Sequence, residues 1–408
     1  MTIASIAGCC FSPLLSKREI EIKLVVRQWG NVMHLEMASA VSPPEEGEAI
    51  GCIQCQKGSK LVLFVTGHCH WMCDYCPLSE NRREVDVMFA NERPCNTMEE
   101  VIEEGKAMNA TGTGITGGDP LMAKERSLEA IVKLKQEFGQ KHHIHLYTSI
   151  PFATEFAKEF AEAGLDEIRF HLLKLDLQRY RETIASCVAA GLYVGVELPA
   201  EPDEESRLYE LLEELRGSGI EFLNLNELEI TTGNQAEMEL RGFNLSSEMT
   251  AGAEGSAELA SALKGRVECA RLGIEDPHDG SLREPYDYHL KFCTSSYKDA
   301  GQLRARFRRR AGHTLRPHEQ LTDDDTILFG SLYTSSTLVE NDRREILDAT
   351  GISADWLYHD SQMNRIEMPV ELAEELAEVV NAPVAIIEVH PTHERLEVSL
   401  VWLNGHRP

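Results

Sequence analysis

The stretch KLVLFVTGHCHWMCDYC, residues 60–76, joins two signals. Its first half, LVLFVTG (61–67), is an apolar run closed by glycine, the pattern of a strand covered on both faces. Its second half sets Cys69, Cys73 and Cys76 at C-x3-C-x2-C spacing, directly after that strand. Three thiolates so close can converge on one metal centre. A [4Fe–4S] cluster takes four ligands, so three leave one iron open to another. A zinc ion completed by a fourth ligand elsewhere is the competing assignment.

Outward from this stretch the chain keeps a steady rhythm. GTGITGG (112–118), IHLYTSI (144–150), EIRFHLL (167–173), YVGVELP (193–199) and FLNLNEL (222–228) read as strands, and helical patterns cover 97–109, 124–138, 152–163, 177–190 and 204–217. Six strands alternating with helices predict an α/β fold, a parallel sheet of right-handed βαβ units. One parity of these strands is polar: His145, Tyr147 and Ser149; Arg169 and His171; Glu197; Asn224 and Asn226. Residues of one parity share a face. Neighbouring strands therefore point polar groups the same way, which predicts the concave lumen of an open barrel.

The second strand runs into Gly117-Gly118-Asp119-Pro120. Glycine lets backbone approach a ligand closely, and parallel β/α proteins gather such loops at the C-terminal ends of their strands. This turn is expected beside the cysteine loop. With both motifs in place the chain resembles the radical S-adenosylmethionine (SAM) superfamily. KLVLFVTGHCHWMCDYCPLS, TGGDPL, HIHLYT and LDEIRFH look like an archaeal family described as related to pyruvate formate-lyase activating enzymes. The resemblance implies a partial (β/α)6 barrel over roughly residues 60–240. It implies a [4Fe–4S] cluster on Cys69, Cys73 and Cys76, and SAM as cofactor. Tyr75 falls where the family places an aromatic near the adenine. Gly117, Gly118, Asp119 and Pro120 match its GGEP-type motif, with Asp where Glu is commoner, and imply backbone acceptors for the methionine amino group. The implied activity is reductive cleavage of SAM to a 5′-deoxyadenosyl radical that takes hydrogen from a substrate. The partners implied are a one-electron reductant of flavodoxin or ferredoxin type and a protein, RNA or small-molecule substrate. Within the lumen, Ser149, Arg169, Glu197 and Asn226 are the candidate SAM contacts by parity.

A second ligand set lies outside the motif. Cys52-Ile-Gln-Cys55 precedes the first strand, and His289-Leu-Lys-Phe-Cys293 lies far downstream. Together they offer four ligands for tetrahedral zinc. An auxiliary iron–sulfur cluster on Cys52, Cys55 and Cys293 is the rival, and two surface cysteines with a structural histidine is the bland alternative. The remaining segments read as an N-terminal extension over 1–50 (with Cys9, Cys10 and a more natural start at Met37), a linker with the metal staple and a basic helix over 246–319, and a C-terminal α+β accessory domain over 320–408. In the basic helix Arg306 and Arg310 share a face. They suit either a phosphate or RNA contact or pairing with the protein's own acids.

Composition bounds these readings. The 408 residues carry 42% hydrophobic and 26% charged side chains, ordinary for a globular chain. The formal charge of −27 argues against non-specific binding to nucleic acid or anionic membrane. No apolar stretch approaches the roughly 20 residues of a membrane helix, and no basic leader precedes an apolar run. A cytoplasmic location follows as the expectation. There the 11 clustered cysteines suit metal or catalytic use better than disulfides. A non-catalytic, metal-stapled nucleic-acid-binding protein is the alternative from a different class.

Overall fold

The apolar run at 60–64 forms β1 (Lys60–Phe64), and the parallel sheet grows from it in one direction. The computed structural model describes residues 47–407, in two compact units, 47–313 and 314–407. The expected extension, its Cys9 and Cys10 and the Met37 start lie outside the described residues.

In the first unit a short helix α1 (Ile50–Gln56) precedes β1. A small antiparallel hairpin, β2 (Met88–Ala90) and β3 (Arg93–Cys95), flanks one side of β1. On the other side follow β4 (Gly112–Thr116), β5 (His143–Thr148), β6 (Glu167–Phe170), β7 (Tyr193–Ala200), β8 (Phe222–Glu227) and β9 (His289–Cys293). Neighbours from β1 through β4 to β9 all pair in parallel. The connecting helices are α2 (Met98–Ala107), α3 (Lys124–Phe138), α4 (Thr154–Ala163), α5 (Arg181–Ala189), α6 (Glu205–Glu214), α7 (Gln235–Leu240) and α8 (Ser256–Leu272). A capping box starts α2: Thr97 accepts from the Glu100 amide, and Glu100 reaches back to the Thr97 amide.

The strands' two faces divide as the alternation predicts. Leu61, Leu63, Ile115, Ile144, Leu146, Ile168, Val194, Val196 and Leu225 are completely buried in the core that includes the helices. Each such side chain contributes about 1.5–3 kcal/mol. The opposite parity is polar and faces the lumen. Among the described residues the sheet order does not close on itself, so the barrel they form is open. The six expected βα units are present, and β9 adds a seventh parallel strand.

Two expectations are corrected here. Residues 246–319 are not a linker. Leu259, Ala260 and Leu263 bury α8 in the main core, and β9 pairs with β8 over its whole length. The apolar i, i+4 pair Leu259 and Leu263 carried this signal within a polar region. Nor does the expected boundary at residue 50 separate a linker from the fold, because Glu48 and Ala49 are already buried at the start of α1.

After β9 the chain makes a single turn α9 (Ser295–Tyr297), a wide helical turn Lys298–Leu303, and α10 (Arg304–Thr314). This basic segment pairs with the protein's own groups. Arg306 binds Glu92, Arg309 donates to the Met108 and Asn109 carbonyls, and Arg310 forms two hydrogen bonds with Glu104 at 2.7 and 3.1 Å.

The second unit is α+β, as expected for 320–408. Its sheet runs in the order β12 (Tyr358–Asp360), β13 (Arg365–Met368), β11 (Ile327–Tyr333), β14 (Val384–Val389), β15 (Glu397–Trp402), with β10 (Gln320–Leu321) also on β11. All its pairings are antiparallel. Leu332, Ile346, Ile366 and Val384 bury α11 (Val339–Thr350) and α12 (Val370–Ala377) against it.

Candidate active site

The cysteine loop leaves the C-terminal end of β1 and is stitched to the turn after β4. Gly118 donates its amide to the Thr66 carbonyl at 2.8 Å, and Asp119 donates to the His68 carbonyl at 2.9 Å. The approach is tight enough to require glycine: a Cβ on Gly117 would lie 2.5 Å from the Thr66 oxygen, and one on Gly118 2.3 Å from the His68 oxygen. The loop's far end is tied to the chain beyond β8. Arg83 donates to the Cys76 and Gly233 carbonyls, Asn234 to the Tyr75 carbonyl at 3.0 Å, and Arg241 pairs with Asp74 at 3.3 Å. Cys69, Cys73 and Cys76 are all partly exposed free thiols. Burial pushes the Cys73 thiol up to about 11.

Asp119 is 1% exposed and builds the rim. Its carboxylate accepts from the Leu121 amide, the Thr148 hydroxyl, and both the amide and hydroxyl of Ser149. The Gly117 and Gly118 carbonyls accept no hydrogen bond among the described residues. Tyr75 hydrogen-bonds through its hydroxyl to His171 Nε2 at 2.7 Å, and His171 Nδ1 contacts the Glu197 carbonyl at 3.2 Å. Tyr75, the Gly117–Pro120 turn and Ser149 thus share the rim with the three thiols.

Below the rim the lumen holds a charged network. Arg169 donates to Glu167 Oε1 at 2.5 Å, Glu197 Oε2 at 2.8 Å, the Tyr147 hydroxyl at 3.3 Å and Cys52 Sγ at 3.3 Å. Asn226 donates to Glu197 Oε1 at 2.9 Å. Burial would raise the Glu197 carboxyl, but Arg169 and the two asparagines outweigh it and hold it below the usual carboxylate range. As a candidate SAM contact Arg169 is corrected: it faces the lumen, but its guanidinium is occupied by the protein's own groups. Glu167 and Lys60 share the lumen-facing parity, and the same alternation in DEIRFH would have exposed Glu167.

The four-ligand zinc set is corrected as well. His289 and Cys293 lie on one strand, where four residues span roughly 13 Å. An H-x3-C pair meets one ion on a helix, not here. Among the described residues two groups of ligands converge within 4.8 Å, and neither contains a cysteine: His143, His145 and Glu167, and His318, Glu319 and Glu367. In the first, Arg169 occupies Glu167, and the Gly51 backbone crowds His145 Nδ1 so closely that a Cβ would lie 2.4 Å from it. In the second, Arg316 and Arg365 hold Glu367 and Arg395 holds Glu319. Both carboxylate sets already have cations.

A family model, the radical SAM superfamily, matches residues 63–184, and a domain of unknown function, DUF8061, matches 325–402. The MJ0021 protein of Methanocaldococcus jannaschii, whose name assigns it provisionally to glycyl-radical enzyme activation, is 35% identical over 364 residues, 86% of this chain and 92% of that protein. The chain belongs to the radical SAM superfamily. A GTP 3′,8-cyclase of Saccharophagus degradans is 29% identical over 126 residues, covering 29% of this chain and 35% of that protein. Among solved structures, Streptococcus suis SuiB bound to S-adenosylmethionine is similar over 58% of this chain with a TM-score of 0.38 and 14% identity; the chain spans about half the length of that structure.

The family implies a [4Fe–4S] cluster and SAM, and the site suits both. Soft thiolates are iron–sulfur ligands, and the three free thiols stand on one pinned loop. The unpartnered Gly117 and Gly118 carbonyls are acceptors suited to an ammonium group. This radical SAM protein is therefore an iron–sulfur enzyme. Among its described residues no helix is long and apolar enough to cross a membrane.

Proposed function

We propose that this radical SAM enzyme acts on a polypeptide partner. The carrying observation is the apolar surface on the two stitched loops at the rim: Met72 is 82% exposed, Met122 47% and Trp71 37%. Large apolar side chains exposed on neighbouring loops suit a protein contact site. The RNA reading rested on the basic helix, whose arginines are spent within the chain. The relative's name, glycyl-radical enzyme activation, agrees with a protein substrate, and the likeness to it extends over 86% of this chain.

Cluster and SAM together supply a 5′-deoxyadenosyl radical that removes a hydrogen atom from the substrate. The chain's residues bind and orient. Cys69, Cys73 and Cys76 hold the cluster. The Gly117 and Gly118 carbonyls receive the methionine ammonium, and Tyr75, steadied by His171, backs the adenine. Ser149, fixed by Asp119, and the Glu197–Asn226 pair offer polar contacts to ribose or methionine. Arg169 acts at one remove by fixing Glu197. A one-electron reductant of flavodoxin or ferredoxin type completes the system.

The anaerobically reconstituted enzyme with dithionite and SAM is expected to form 5′-deoxyadenosine and methionine, and Cys73→Ala is expected to form neither. Adding a cell extract should raise the rate. The protein reading requires that protease abolish this stimulation. Stimulation that survives protease but is lost to ribonuclease, or that passes a dialysis membrane, overturns it.

A further inference from the structure

Lys60, the first residue of β1, is 6% exposed and turns into the lumen. Its ammonium lies 3.3 Å from His145 Nε2, and no carboxylate lies within 4.0 Å of it among the described residues. A buried cation without an anion is costly. Burial pushes the Lys60 ammonium down, and the neighbouring thiols of Cys55 and Cys52 and the Glu167 carboxylate are the groups able to oppose that. A second cation, Arg169, donates to Cys52 Sγ at 3.3 Å. Lys60 and Arg169 thus place two cationic side chains beside this pair of thiols.

A third thiol joins them. Cys293 ends β9 in register with Asn226, is 5% exposed, and its Sγ contacts Asn224 Oδ1 at 3.6 Å. The Tyr297 hydroxyl, one turn later, lies within electrostatic reach of Cys293, Cys55 and Cys52 together. Cys55 Sγ also donates to Gln302 Oε1 at 2.8 Å.

The backbone holds these distant segments in place. Gly51 brings α1 so close to the lumen wall that a Cβ would lie 2.4 Å from His145 Nδ1 and 2.7 Å from Arg169 Nη2. Gly58, at φ +59°, lies against the start of α10, where a Cβ would meet Ala305 and Arg306 backbone atoms at 2.3 Å. The turn between α1 and β1 is therefore locked onto the segment that follows Cys293. The wide turn at 298–303, a geometry frequent at functional sites, carries Gln302 to Cys55.

We propose that Cys52, Cys55 and Cys293 hold an iron–sulfur cluster inside the barrel, separate from the Cys69–Cys73–Cys76 loop. A single tetrahedral zinc would draw its thiolates to about 3.8 Å from one another. These three are not among the groups that converge within 4.8 Å, and neither is the triplet of the cysteine loop. A cluster several ångströms across takes its thiolates at separate corners, which suits both sets. The net negative charge of three thiolates on an iron–sulfide core supplies a counter-charge for Lys60, which has no carboxylate partner among the described residues, while Arg169, already paired with Glu167 and Glu197, keeps its contact to Cys52 Sγ. The proposal is independent of the substrate.

The test counts metal and sulfide in the full chain, without reference to turnover. The Cys69→Ala/Cys73→Ala/Cys76→Ala variant, purified and reconstituted anaerobically, should retain one cluster, about four iron and four sulfide for a [4Fe–4S] centre. Its reduced form should show an iron–sulfur EPR signal that SAM does not change. Adding Cys52→Ser and Cys55→Ser should remove both the iron and the signal. Cys187→Ala, a buried thiol elsewhere in the core, should remove neither. Loss of all iron from the first variant, with native circular dichroism, overturns the proposal. So does one zinc per chain without sulfide. Native circular dichroism in the second variant as well separates loss of the ligands from loss of the fold.

Discussion

The carboxylate of Asp119 accepts both the amide and the hydroxyl of Ser149, each at 2.8 Å. This joins the turn after β4 to the end of β5 at the level of the cysteine loop. The fourth-side anchor is the Leu121 amide, so one buried carboxylate shapes both the turn and its neighbour. Asp119→Ala should cost about 3–5 kcal/mol, because it strands several donors in a buried place. Ser149→Ala removes one hydroxyl and should cost about 1 kcal/mol. Urea unfolding of the two variants checks the ratio. Equal losses would mean that Asp119 does not organise the rim.

Arg169 stands between two lumen carboxylates, Glu167 and Glu197. Arg169→Met leaves the buried Glu167 and the half-buried Glu197 without their cation, and destabilisation by about 3–5 kcal/mol is expected. Adding Glu167→Gln and Glu197→Gln should return part of that loss, since the triple variant has no stranded charge. Denaturant midpoints of the single and triple variants measure this. A triple variant less stable than Arg169→Met would refute a charge-pairing role.

The parts of this molecule that followed simple periodicity were legible in the sequence. The six strands from 61 to 228 were found because apolar runs and Gly stops mark them, and the polar parity of His145, Arg169, Glu197 and Asn224 indicated the lumen. The cysteine loop and Gly117–Pro120 were legible because their spacing is local. What failed was geometry that spacing cannot show. His289 and Cys293 suit one ion only if helical, and they lie on β9. Arg306 and Arg310 share a helical face, and of the two readings that face allowed, pairing with the protein's own acids is the one found, with Glu92 and Glu104. The closing strand β9 was missed because a five-residue segment rich in ligand-type residues reads as a site before it reads as a strand. Arg169 was correctly placed in the lumen, but sequence could not show that its partners are internal.

Glu201 introduces a pH dependence. Burial, opposed by Arg241 and reinforced by Asp203 and Asp74, raises its carboxyl from 4.5 to about 7. An acid raised in the folded state contributes stability when protonated, fully present below about pH 4.5 and lost as pH rises through about 7. The shift corresponds to at most about 3 kcal/mol. Stability should therefore fall between pH 5.5 and pH 8, and Glu201→Gln, which keeps the shape without the proton, should flatten that slope. Urea midpoints at the two pH values are the measurement. An unchanged slope in the variant would assign the pH dependence elsewhere.

Gly118 tests whether the turn after β4 positions the cysteine loop. A Cβ there would lie 2.3 Å from the His68 oxygen and 2.6 Å from the Gly67 oxygen. These are backbone atoms and cannot rotate away, so in Gly118→Ala the loop itself must move. Such overpacking costs about 1–3 kcal/mol. The greater effect falls on the metal, because Cys69 immediately follows the displaced His68. Iron bound through the cysteine loop should be lost faster on dilution than from the native protein, and SAM affinity should fall with it. Gly265→Ala provides the contrast. It lies within α8 with no atom within 4 Å of its Cβ, and it should stabilise by up to about 1 kcal/mol through helix propensity alone. If Gly118→Ala retains iron and SAM as well as Gly265→Ala does, the contact between Gly118 and His68 does not govern the site.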